Sequence, residues 1–68
     1  MLRSGRVTAF DEERGTGTVE DEEDGAEYPF HCTAISDGSR LIETGRPVVF
    51  ITHLGQLGRT EAIEVMAR

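Results

Sequence analysis

A chain of 68 residues makes one domain with a small core, and its lone cysteine, Cys32, excludes an internal disulfide and points to a reducing, cytoplasmic setting. The formal charge is −6: residues 11 to 27 carry nine acids against Arg14 alone, whereas the remainder carries four acids and six arginines. That balance argues against broad phosphate-backbone binding and leaves room only for a locally favourable field. The longest apolar run, Val48 to Ile51, is far too short to span a membrane, and no apolar stretch follows a basic stub at the start, so neither a signal segment nor a membrane partner is expected.

Gly5 to Phe10 predicts a first strand with Val7 inward, Asp11 to Gly15 a polar turn, and Thr16 to Asp21 a second strand, so the first two form a hairpin. Within Arg14-Gly15-Thr16-Gly17-Thr18-Val19 the residues alternate. Thr16 and Thr18 face one way, Gly17 and Val19 the other, and a threonine face suits solvent because Thr favours strands without needing burial. Gly15 and Gly17 let neighbouring chain approach closely. Glu22 to Gly25 is a second turn, with Gly25 at positive φ. Glu27 to Cys32 is a third strand, with Tyr28, Phe30 and Cys32 on one face and Pro29 and His31 on the other. Pro29 lacks an amide donor and therefore belongs at an edge or in an unpaired position.

Thr33 to Ile35 fits one helical turn, Ser36 to Ser39 a loop, and Thr44 to Pro47 a turn, with Leu41 and Ile42 covering the end of the core. Val48 to Leu54 is a fourth strand, Gly55-Gln56-Leu57-Gly58 a tight connection, and Thr60 to Met66 a fifth strand. There is no helix-length periodicity and no repeat. Five short strands separated by Gly-containing turns predict an all-β fold: a five-stranded antiparallel barrel over residues 1–68, with at most a short helical turn.

In this frame the chain resembles a cold-shock domain, a five-stranded OB-fold barrel that binds single-stranded RNA and DNA. Gly5-x-Val7-x-x-Phe10 resembles the family's opening Gly-x-Val-x-Trp-Phe, and Arg14-Gly15-x-Gly17-x-Val19 its first ribonucleoprotein motif, Lys-Gly-Phe-Gly-Phe-Ile. Phe30-His31-x-Thr33-Ala34-Ile35 is similar to the second motif, Val-Phe-Val-His-x-Ser-Ala-Ile. Glu43-x-Gly45-x-x-Val48-x-Phe50 and Ala62-x-x-Val65 resemble the last two strands. The order and spacing of these pieces cover nearly the whole chain. A small OB family of RNA-binding repeats in a ribosomal protein shares the His-containing segment but fits the double-glycine spacing less well.

The departures fall on the face that the resemblance assigns to binding. Ala9 stands where the family has Trp, Thr8 where it has Lys, Thr16 and Thr18 where it has two Phe, Pro29 where it has Phe, and Cys32 where an aromatic often follows the His. Only Phe10, Arg14 and His31 remain of the binding set. The inward positions stay apolar: Val7, Val19, Tyr28, Phe30, Ile35, Val48, Phe50 and Val65. Base stacking on an aromatic is worth about 1–3 kcal/mol, so losing about four platforms at the lower figure costs about a thousandfold in affinity. Two readings stand: weak residual single-strand binding through Thr8, Phe10, Arg14, Thr16, Thr18, Pro29 and His31, or a barrel turned protein-interaction module.

For the second reading the sequence offers Val49, Ile51 and His53. If Val48 and Phe50 are core, these three point outward, and they either shelter beneath the Asp37 to Gly45 loop or form a contact patch for a protein partner or a homodimer. Adjacent residues on a strand point to opposite faces, so His31 and Cys32 do not share a metal. The acids Glu20 to Asp24 lack the alternation of a calcium loop. No nucleophile–base pair or phosphate loop is present in the sequence, and neither an enzyme nor a cofactor is expected.

Overall fold

The computed structural model describes residues 2–55 and 58–68; Gln56 and Leu57, in the expected tight connection before the last strand, lie outside the described residues. Five strands, β1 (Arg3–Asp11), β2 (Thr16–Asp21), β3 (Glu27–His31), β4 (Pro47–Leu54) and β5 (Thr60–Ala67), form one antiparallel sheet in the order β3-β2-β1-β4-β5. A 3₁₀ turn, Cys32–Ala34, follows β3. β3 and β5 are the sheet edges and share no ladder. Where the chain leaves β3, Ile35 makes a single parallel bridge to Val65, and the Ser36 amide donates to the Val65 carbonyl at 2.8 Å. Pro29 thus sits on an edge strand, where its missing donor costs least.

The core is Val7, Val19, Phe30, Cys32, Ile35, Val48, Phe50, Ala62 and Val65, all buried. Full burial of one large aliphatic or aromatic side chain is worth about 1.5–3 kcal/mol, so in a chain this short these few residues dominate stability. Seven of the eight expected inward residues belong to this core. The eighth, Tyr28, is half-buried and leans on Phe50, with ring centroids 6.0 Å apart at 55°. Ile42 packs on the core as expected, but Leu41 is 56% exposed and does not join it.

Two bulges set which residues face out. On β1, Val7 opposes Val19 and Ala9 opposes Thr18, leaving Thr8 as the extra residue. On β5, Val49 opposes Met66 but Ile51 opposes Ile63, and Glu64 in the inserted stretch takes φ +53°, a left-handed conformation. Gly17 lies between Phe10 and Phe30 across the ladder. A Cβ there would stand 2.6 Å from the Ala9 carbonyl oxygen and 2.9 Å from each ring, which is why that position is glycine.

Several boundaries differ from the sequence reading: β1 runs on to Asp11, β4 starts at Pro47 and β5 ends at Ala67, each one residue beyond the expected limit, and two further differences have a visible cause. β1 begins at Arg3 because Arg3 and Ser4 pair with Phe50 and Val49 on β4, a long-range pairing that local alternation does not reveal. β3 ends at His31, not Cys32, because the His31 side chain caps the 3₁₀ turn that Cys32 opens. The turn therefore starts one residue before the expected Thr33.

The β2–β3 turn is held by Asp21, 1% exposed. Its Oδ2 accepts from Arg3 Nη1 at 2.7 Å, and its Oδ1 accepts the Glu23 amide at 2.9 Å. Gly25 turns the chain at φ +75° as expected and donates to the Asp21 carbonyl.

Candidate nucleic-acid interface

Residues directly opposed on neighbouring strands share a face of the sheet. The β1–β2–β3 ladder therefore sorts its residues without ambiguity. Val7, Val19 and Tyr28 form one inward row, and Phe10, Gly17 and Phe30 the next. The outward rows are Arg6, Glu20 and Glu27; then Ala9, Thr18 and Pro29; then Asp11, Thr16 and His31. Thr16, Thr18, Pro29 and His31 thus stand together on one open face, with Thr8 joined to them at the bulge.

Thr8 Oγ1 lies 2.7 Å from Thr18 Oγ1 and 3.3 Å from the Thr18 carbonyl. With the Thr8 hydroxyl donating to that carbonyl, the Thr18 hydroxyl donates to Thr8. The two threonines satisfy each other, and Thr18, expected to be exposed, is half-buried; Thr16 is exposed as expected. At this point of the face the Thr8 and Thr18 hydroxyls are bonded to each other.

His31 is exposed, and one of its ring nitrogens is committed. Nδ1 accepts the Thr33 amide at 3.2 Å and lies 3.0 Å from Thr33 Oγ1, which leaves the Nε2 edge for a ligand. Because Cys32 has left the strand, its Sγ approaches the same Nδ1 to 3.8 Å. The expectation that the two side chains diverge is thus corrected, although Cys32 is buried beneath the turn. Among the described residues, no group of three His, Cys, Asp or Glu side chains could hold a metal ion.

Arg14 stands exposed in the β1–β2 turn, its Nε 3.9 Å from Asp11 Oδ2. Asp11 also accepts the amides of Glu13 and Arg14 at 3.0 and 3.2 Å, so it shapes the turn and offsets the charge of Arg14. Phe10 does not join the outward group. It belongs to an inward row and stacks on Phe30 with centroids 6.0 Å apart and planes 20° apart, half-buried against the core. Arg6 was not singled out from the sequence, yet it shares this side of the sheet. It is exposed in an outward row, a placement that alternation from Val7 indicates. The face and its β1–β2 turn set Arg6 and Arg14 against Asp11, Glu12, Glu13, Glu20 and Glu27, a negative field that disfavours phosphates.

On β4, Val49 opposes Met66, Ile51 opposes Ile63 and His53 opposes Glu61. Val49, Ile51 and Ile63 are half-buried, and Met66 is 47% exposed. Ile63 and Met66, missed from the sequence, extend this apolar stretch across two strands. The loop of residues 37–45 sends Ile42 onto the core and lines a pocket with Phe10, Ile35 and Ala67.

No helix among the described residues is long and apolar enough to cross a membrane. Compared with protein-family models and with curated proteins, the chain matches none.

Proposed function

We propose that the chain is a cold-shock-like OB module, its sheet curling into a barrel, that makes weak, salt-sensitive contact with single-stranded RNA or DNA through the outer face of β1–β3. The observation that carries this reading is the ladder register: Thr8, Thr16, Thr18, Pro29 and His31 share one open face, at the positions where the resemblance places lysine, stacking aromatics and histidine. The barrel is supported by the Ile35–Val65 bridge, which brings the end of β3 to β5. Arg6 and Arg14 supply cations for phosphates, the Nε2 edge of His31 a polar contact, and the threonine methyls a shallow surface for bases. Phe10 contributes as core, not as a stacking platform. Binding without stacking rests on charge, and the face has little to spare, so affinity falls steeply with salt. The module acts by binding, without catalysis or cofactor, in a reducing compartment such as the cytoplasm. Titration of labelled oligo-dT and oligo-U at low and high salt tests it: weak binding lost at high salt supports the reading, and tight or salt-independent binding opposes it.

A second reading rests on the apolar stretch Val49, Ile51, Ile63 and Met66, which runs across β4 and β5. In that case the barrel serves as a protein-interaction module, with a partner or a second copy on the β4–β5 face.

A further inference from the structure

The segment between the 3₁₀ turn and β4 is tied at both ends. Ser36 N–H bonds Val65 at one end, and Gly45 N–H donates to the Val7 carbonyl at 2.7 Å at the other. Between these anchors only Ile42 reaches the core. The space left is a groove of about 620 Å³ floored by Phe10, Ile35, Ile42 and Ala67. Its size falls within the range of pockets that hold small ligands or one or two side chains of a bound peptide. Its rim carries three carboxylates, Glu12, Asp37 and Glu43, against one guanidinium, Arg46. At its mouth stands Leu41, an exposed apolar side chain in a place where burial would favour it.

We propose that this groove binds a protein segment that inserts an apolar side chain onto the Phe10–Ile42 floor and flanks it with lysine or arginine facing Glu12, Asp37 and Glu43. Charge complementarity selects the partner. A phosphate-bearing strand meets three carboxylates here, whereas a basic segment gains long-range steering and the apolar side chain gains burial. The groove's floor belongs to the inward Phe10 row, and it meets the outward β1–β3 face only at the β1–β2 turn, through Glu12.

The test is a titration of isotope-labelled protein with the peptide acetyl-Lys-Leu-Lys-Phe-Lys-amide, followed by amide resonances. The expected shifts fall on Phe10, Ile35, Leu41, Ile42 and Glu43. Replacing Leu and Phe of the probe by Ser weakens binding more than tenfold, on the order expected for losing a buried apolar side chain. Glu12→Gln with Glu43→Gln weakens it roughly threefold to tenfold. Both positions are exposed, so the remaining resonances stay in place and report an intact fold, and Leu41→Ser serves as an independent second variant. Shifts confined to the acidic β2–β3 turn, equal binding of the Ser probe, or equal binding by the Gln variant overturn the proposal. Displacement of the peptide by oligo-dT from the same residues also overturns it, because the groove would then belong to the nucleic-acid face.

Discussion

At the scale of single residues, the inward row of Phe10, Gly17 and Phe30 depends on its smallest member. Gly17 lets Phe10 and Phe30 stack, and its place beneath the Ala9 carbonyl leaves no room for a methyl. Gly17→Ala is expected to cost about 1–3 kcal/mol, the usual range for forcing atoms into a packed site. Urea denaturation reads this directly, and an unchanged midpoint would contradict the stacked arrangement. Asp21 is the counterpart in charge. The hydrogen bond from Arg3, helped by the Glu23 amide, holds its carboxyl below the usual aspartate value despite burial. A carboxyl with a depressed folded-state pKa adds stability that is fully present above its unfolded value, about 3.9, and lost as pH falls through the lower folded value. Asp21→Asn should therefore be less stable than the native chain at pH 7. The gap should narrow only below about pH 4; a gap unchanged down to pH 2 would remove the ion pair from the account of this turn.

At the scale of elements, the strands and their turns were legible because alternation and glycine-bearing turns are local signals. Thr16 to Asp21 and the Gly25 turn appear where the sequence places them. What was not legible depended on pairing. The bulge at Thr8, the early start of β1 and the bonded Thr8–Thr18 pair all follow from register, which no short window encodes. The β5 bulge is the same kind of feature, and Glu64 at φ +53° is its mark. A β-branched residue tolerates that conformation poorly, so Glu64→Val should cost about 1 kcal/mol or more, while Glu64→Gly should not. Equal stability of the two variants would mean that the strand runs without the bulge. On the same pair of strands, Val49→Glu with Ile51→Lys should leave the fold intact, since both side chains are outward and half-buried. Sedimentation over a range of concentrations then decides the second reading for copies of the chain: self-association lowered by the double change supports it, and a native chain that is monomeric up to millimolar concentration removes homodimerisation.

For the whole molecule, the sequence carried the all-β class, the strand count and most of the core, because a chain this small needs nearly every apolar residue inside. The site was only partly legible. Alternation placed Thr16, Pro29 and His31 outward, but it could not say that Phe10 turns inward, because the bulge at Thr8 shifts the face of every residue after it. The result is a sheet whose open β1–β3 face lacks aromatic side chains and whose field is negative. On the proposed reading, the missing aromatics, not a lost fold, limit single-strand binding. The direct measurement is a titration of oligo-dT at low and high salt against the native chain and Thr16→Phe, chosen because Thr16 is exposed and free of the Thr8–Thr18 pair. One added platform should strengthen binding by about 1 kcal/mol, roughly fivefold, and the gain should persist at high salt, while the native chain binds weakly and releases as salt rises. Tight binding by the native chain, or no gain from Thr16→Phe at either salt concentration, would contradict it.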